Sequence, residues 1–484
     1  MVCKIDLIFS NTRKNIIYQK NRSVAFLKNF SLFTMIKNIG FVSTRFAGVD
    51  GVTLESSKWA DVFERNGHTC FWFGGELDRY SDRSYLVPAA HFQYEKNKWI
   101  NAQVMGQKGR KPPVTRAIHD LRSLLKVQLH EFIKYFNIDL LIAENVLTIP
   151  MHVSLGLALT EIIAETQIPT IAHHHDFYWE RVRFSVNAVN DYLRMSFPPK
   201  LDNIKHVVIN SEAQEQLALR TGISSIIIPN VLDFENPPVR DVGAARVFRE
   251  SMGLKPDDRM ILQPTRIIQR KGIEHAIELV KELKDSRNQL VVSHEAGDEG
   301  FEYVEWLKEY ASENDINLRL LTTKIADPWR INGNGHAGYS LWDVYPFADF
   351  ITYPSLYEGF GNAFLEAIYF KKPMLINRYS TFIRDIEPQG FDLAVMDGFL
   401  SRKTVLCVKE IMDSPERREK MVNYNYEVAA RHYSYSVLRN RLNDIMSYFF
   451  GDSIKQLSGT AQSPENKYYA NIAPRQTLHR QFAN

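Results

Sequence analysis

Cysteine is scarce in this chain: three thiols, Cys3, Cys70 and Cys407, stand far apart in 484 residues. That number and spacing exclude a disulfide framework and a paired-cysteine zinc site, and a reducing, cytoplasmic setting is expected. Long apolar runs are missing too. A bilayer-spanning helix needs about 20 consecutive apolar residues, and the longest candidate, 24–36, is interrupted by Lys28 and Asn29. Net charge is nearly absent: 59 basic against 56 acidic residues leave +3, so no broad field for nucleic acid exists. Anionic ligands must be held by local groups. Internal repeats and low-complexity tracts are lacking as well.

What remains is an ordinary globular composition, 45% hydrophobic and 24% charged, in a chain too long for one core and suited to two domains. Residues 1–34 are rich in Lys, Arg and Asn and carry no small-residue cleavage site. They read as a disordered or mis-assigned extension, with Met35 an alternative start and membrane contact at most peripheral. From Asn38 onward, short β-rich runs alternate with helical ones, the pattern of parallel sheets wound with helices. Strands are predicted at 39–43, 69–73, 140–144, 170–174, 206–210 and 226–229, with helices over 52–65 and 114–136. A proline-bearing acidic stretch, 229–243, reads as a linker. A second series follows, with strands at 260–264, 290–293, 318–322, 350–353 and 374–377. Two successive doubly wound α/β domains place the carboxyl ends of both sheets around one cleft, where a ligand is expected. The Ser-, Gln- and Asn-rich tail from Gln456 has no periodicity.

Four segments carry chemistry. The first runs from Tyr353 through Glu358-Gly359-Phe360-Gly361-Asn362 to Glu366. A strand ends, a glycine turn follows, and Asn362 is an N-cap candidate for a helix whose free amides suit a diphosphate. Glu366 falls in the first turns of that helix, where a carboxylate accepts both hydroxyls of a ribose diol; Glu358 points at whatever the diphosphate carries. The second segment, 264–272, offers Arg266, Arg270 and Lys271 after a strand. Preorganised cations there lower the barrier to losing a diphosphate. Arg266 and Lys271 are the chosen pair, and Arg270 is either a phosphate ligand or a solvated neighbour.

The third segment is Gly48-Val-Asp-Gly51, a loop whose backbone approaches an anion or simply joins strand to helix. The fourth closes a strand with His173-His174-His175-Asp176. Adjacent strand residues face opposite sides, so three consecutive histidines do not converge, which argues against a metal cluster. His173 reads as a core or edge histidine, and His174 is open. Tyr178, Trp179, Glu180 and Arg181 are placed to shape an acceptor pocket. A Gly- and Asn-rich insertion at 327–340 is an idle loop or a flap, and 377–382 lies at another cleft-facing edge. No Asp-x-Asp triplet ends a strand, so no metal is expected.

Over 39–449 the chain resembles the family 4 retaining glycosyltransferases, whose two glutamates stand eight positions apart around such a Gly-Phe-Gly turn. The resemblance implies the GT-B fold, two Rossmann-like domains facing each other across a cleft. It also implies an acceptor-side domain over 35–236, a nucleotide-sugar domain over 237–433, a helix at 434–452 crossing back, and a disordered tail over 453–484. Domain closure is then a hinge motion. By the same resemblance Glu366 binds the donor ribose, Glu358 the sugar hydroxyls, and Arg266 and Lys271 the phosphates. Gly51 matches the family's glycine-rich loop, and His175 and Asp176 its His-Asp pair, with His175 beside the donor sugar and leaving phosphate. The expected activity is hexosyl transfer from a nucleotide sugar to a hydroxyl acceptor, a small soluble sugar, sugar phosphate or sugar acid. The acceptor attacks from the face the diphosphate leaves, without metal or other cofactor. Three rivals stand beside it: a nucleotide-sugar epimerase or hydrolase on the same fold, a metal-dependent hydrolase built on the histidine run, and a noncatalytic sugar- or nucleotide-binding protein.

Overall fold

The computed structural model describes residues 36–451 apart from 49, 238–248, 250–251, 294–300 and 322–340. The expectations for 1–34, for 238–243 of the linker, for the 327–340 insertion and for the tail lie outside the described residues. Seven strands form the first sheet: β1 (Asn38–Val42), β2 (Thr69–Gly74), β3 (Ser84–Leu86), β4 (Leu140–Glu144), β5 (Thr170–His174), β6 (Ile204–Val208) and β7 (Ser225–Ile227). Six form the second: β8 (Arg259–Gln263), β9 (Asn288–Val292), β10 (Leu318–Leu320), β11 (Phe350–Tyr353), β12 (Met374–Asn377) and β13 (Ala394–Met396). The helices used below are α1 (Gly51–Arg65), α2 (Pro112–Tyr135), α3 (Val153–Thr166), α4 (Ser211–Thr221), α5 (Ile273–Leu283), α6 (Asn362–Tyr369), α7 (Pro415–Tyr433) and α8 (Tyr435–Phe450).

The strand orders are β3-β2-β1-β4-β5-β6-β7 and β10-β9-β8-β11-β12-β13, and the pairings are parallel. Parallel strands are covered on both faces, so they need apolar side chains throughout; Leu140–Glu144 is buried along its whole length. Helices supply the cover. In α2 the buried residues Val114, Ile118, Leu121, Leu125, Leu129 and Phe132 recur every three or four positions and form one stripe. In α5 the same spacing buries Ile273, Ala276, Ile277 and Val280. Each strand order reverses once, between β1 and β4 and between β8 and β11. The crevice at such a reversal is where open α/β sheets bind ligands.

Strand positions differ from expectation in instructive places. The sixth strand ends at Val208 rather than reaching Asn210, because the Asn210 side chain accepts from the Ala213 amide and starts α4. The edge strands β3 and β13 were not expected, being three residues each and so too short to show alternation.

The last helix was expected over 434–449 and runs from Tyr435, with Ser434 just before it. It returns from the second sheet to the first. Leu438, Leu442, Ile445 and Met446 form its buried face, and ring contacts join it to the first half: Arg65 over Tyr435, Lys205 over Tyr448 and Lys37 over Phe450. Among the described residues no helix is long and apolar enough to cross a membrane. Truncating the buried face should be costly: Leu442→Ala is expected to lower the unfolding free energy by about 2–5 kcal/mol. Chemical denaturation measures this, and a loss below about 1 kcal/mol would mean the face is not docked.

Candidate active site

At the reversal of the second sheet, β8 delivers one loop and β11 another. Gln263, fully buried at the end of β8, joins them: its Nε2 donates to the Lys271 carbonyl at 3.0 Å, and its Oε1 accepts from Thr352 at 3.3 Å. Gly272 follows with φ +60, and a Cβ there would stand 2.6 Å from the Pro354 carbonyl oxygen. Only glycine fits that approach. Lys271 is thereby pressed against the exit of β11, and its ammonium donates to the Glu358 carboxylate. Arg270 donates to the Tyr357 carbonyl at 2.9 Å and to Glu358 at 3.4 Å. Thr381 braces the turn by donating to the Glu358 carbonyl at 3.1 Å.

Glu358 is 8% exposed. Burial pushes its carboxyl up, yet Lys271 and then Arg270 more than offset this and hold it below the usual range. Burial also draws the Lys271 ammonium down, against the pull of Glu358. Arg266 is exposed and acts electrostatically on Lys271. Glu366 sits in the second turn of α6, where it accepts from the Tyr345 hydroxyl at 2.8 Å. Burial raises its carboxyl, tempered by Tyr345 and by Lys58 reaching from α1 of the first half.

One expectation about this turn is corrected. Asn362 is not the cap of its helix: Gly361, at φ +111, occupies that position, and a Cβ there would meet the Tyr379 hydroxyl at 2.4 Å. A positive-φ glycine turns the chain into the helix without a side-chain cap, which releases Asn362 to accept from Asn230 at 2.6 Å. Phe360 is turned into the core against Tyr433, and its carbonyl accepts from Tyr379. Its side chain thereby shapes the turn. The 377–382 segment likewise backs the turn through Asn377, Tyr379 and Thr381.

The first sheet contributes the opposing wall. Gly51 is the first residue of α1, and a Cβ on it would stand 3.8 Å from the side-chain nitrogen of Asn362. The start of α1 therefore faces the glycine turn of the second half. Much of the expected anion cradle is already filled: the Asp50 carboxylate accepts from the Val52 and Thr53 amides, and Asp78 from the Gly48 amide. Gly359 is held between the halves. Its carbonyl accepts from Asn210 at 2.6 Å, and a Cβ on it would lie 3.7 Å from the His175 carbonyl oxygen.

Alternation along β5 holds for the histidines. His174 turns to one face and pairs with His206 at 2.9 Å, while His173 and His175 share the other. The three histidines do not converge, but these two meet at Glu144, which the register of β4 sets beside His173. The Glu144 carboxylate meets His173 Nδ1 at 3.0 Å and His175 Nε2 at 3.3 Å. Burial works against its charge, but the histidines bring its pKa to about 2. Burial pulls His175 down, and Glu144 more than compensates, leaving it raised. Among the described residues this trio is a group crowded enough to hold a metal ion, with ligating atoms within 4.8 Å of one another. Glu144 was overlooked in the sequence; the signal was an acid closing an otherwise apolar strand.

Asn145, in the left-handed region at φ +57, fixes the loop beyond. Its side chain accepts from the His175 amide at 3.1 Å and donates to Asp176 at 3.0 Å. Asp176 is also paired with Arg181, so its carboxylate shapes the loop. Trp179 stacks on Phe177 at 4.5 Å, a packing contact. Glu180 is raised to about 7, by burial and then by Asp176, and it acts on Tyr357 from the opposite half. Thus Lys271, Arg270 and Glu358 touch directly, Arg266 flanks them, and His175 and Gly51 approach the same turn from the other half.

Comparison with known proteins agrees with this frame. The family described as "Glycosyl transferases group 1" matches residues 245–428, the span holding Arg266, Lys271, Glu358 and Glu366. A mannosylglucosylglycerate synthase of Petrotoga mobilis is 33% identical over 73% of this chain and 85% of its own length. A protein of the same name from Thermotoga maritima is 31% identical over 84% of this chain and 98% of its own. The solved structure of a glycosyltransferase from Rickettsia africae superposes with a TM-score of 0.61 at 14% identity, covering 86% of this chain and 99% of that one. The two sheets and their opposed crevices are the GT-B fold. A relative one third identical and covered over most of its length fixes the assignment: this chain is a hexosyltransferase and belongs to the group 1 glycosyltransferases.

Proposed function

We propose that the chain transfers a mannosyl group, with retention, from a nucleoside-diphosphate mannose to a hydroxyl of a small sugar acid of the glucosylglycerate class. The observation that carries this reading is the buried contact of Lys271 with Glu358 at the second sheet's reversal. A carboxylate accepts from sugar hydroxyls and an ammonium donates to phosphate oxygens, so one pair grips both sides of the bond that breaks. Arg266, exposed beside them, adds a second cation for the departing diphosphate. In this reading Glu366 accepts from the ribose diol. The mannosyl donor and the acid acceptor are inferred from the shared name of the two relatives.

In this reading His175 and Gly51 close the donor from the first half. The acceptor enters between the halves and attacks from the face the diphosphate leaves, and a phosphate oxygen takes its proton. No side chain forms a covalent intermediate and no metal takes part.

Incubation with GDP-, UDP- or ADP-mannose and glucosylglycerate should yield a product whose new linkage keeps the donor's anomeric configuration by NMR. An inverted linkage, or rapid loss of donor without any acceptor, would overturn the reading. Chelation with EDTA should leave the rate unchanged; loss that zinc or manganese restores would speak for a metal enzyme. Removing one member of a buried pair strands the other, so Glu358→Gln should cost about 3–5 kcal/mol of stability and at least about 100-fold in kcat. The double change Lys271→Met with Glu358→Leu should recover stability to within about 1 kcal/mol and remain inactive. Activity in the double variant would remove both residues from the mechanism.

A further inference from the structure

Glu144 is conspicuous by its cost. A carboxylate shut away from water is strongly penalised unless it is paired, and Glu144 has no solvent exposure. Its two imidazole partners differ in where they lead. His173 is 1% exposed and closed in by the Trp59 ring, stacked at 4.2 Å. The side chain of His175 is 12% exposed, and its backbone carbonyl borders Gly359, next to Glu358. The buried charge therefore reaches the crevice through one ring. Since His175 turns Nε2 to Glu144, Nδ1 is the nitrogen left for a ligand. Strand and loop hold both ends of this contact: Ser43 donates to the Glu144 carbonyl at 3.0 Å, and the His175 amide donates to Asn145.

We propose that Glu144 is a positioning residue for sugar transfer, acting through His175. By accepting a hydrogen bond from Nε2–H it fixes the orientation of the ring and supports its positive charge, so that Nδ1–H faces the leaving diphosphate. His173 is the brace: it occupies the rest of the Glu144 carboxylate and keeps it from turning toward Trp59. No bond is made or broken by Glu144 itself, and the proton on Nε2 stays with the imidazole. The inference rests on the transferase reading and on His175 lying beside the donor.

The test uses the full chain with mannose donor and glucosylglycerate acceptor. Glu144→Gln should lower kcat about 100-fold while donor KM changes by less than about threefold. Glu144→Asp, which keeps the charge, should recover part of the loss and serves in its place if the Gln variant does not fold. In a His175→Ala background Glu144→Gln should cost less than a further factor of about two, because its route to the donor is already gone. A merely structural Glu144 would give losses that multiply in that background and follow the fall in Tm, which overturns the proposal. Wild-type kcat in Glu144→Gln does so too, as does stoichiometric zinc in the wild type that Glu144→Gln loses. A wild type that transfers no sugar between this donor and acceptor overturns the mannosyl-transfer reading instead.

Discussion

A charged pair kept out of water is the constraint around which the second half is arranged. Lys271 and Glu358 lie on different loops, and leaving either one alone in a buried place is far more costly than the pair is favourable. The surroundings are consistent with that demand. Gln263 ties the Lys271 backbone to the sheet, Gly272 admits the Pro354 carbonyl, and Thr381 fixes the Glu358 backbone. Each of these contacts is made by the chain's own groups, which is how a fold holds charged side chains in a fixed arrangement.

The first half meets this arrangement through short polar contacts, with Ile209 packed into the second half's apolar cluster beside them. Asn210 on Gly359 and Asn230 on Asn362 grip the glycine turn at two points, while Ser380 and Arg384 reach across to Glu212 and Glu215. Behind that line sits a second buried carboxylate, Glu144, with its two histidines. The crevice is thus flanked on both sides by a buried acid neutralised by a basic partner, each placed where a sheet reverses its strand order.

Much of this was legible in the sequence, and the reasons differ by element. Strands such as 140–144, 170–174, 350–353 and 374–377 were read to the residue because each is a short apolar run ended by a polar or glycine signal. The 358–366 turn was legible because its acids and glycines are close in sequence. What escaped depended on contacts between distant segments. Glu144 matters because β4 pairs with β5 in one register, which no local pattern reports. Asn362 looked like a cap by type, but Gly361 already made the turn, and a residue 132 positions upstream, Asn230, claimed its side chain. Phe360 belonged to a conspicuous motif and still went to the core, since an aromatic ring beside a glycine turn gains most by leaving water.

The chain passes between the two sheets twice, once near Leu232 and once near Ser434, and these crossings run side by side, with the Leu232 amide donating to the Tyr433 carbonyl at 2.9 Å. That backbone bond ties the two crossings together, and the Ser436 amide adds a second tie by donating to Glu235 at 3.1 Å. Sliding the halves apart would break that bond, whereas swinging them about it would not. If the halves open by the hinge that the family resemblance implies, the movement that admits a donor is also the one that sheds a spent nucleotide.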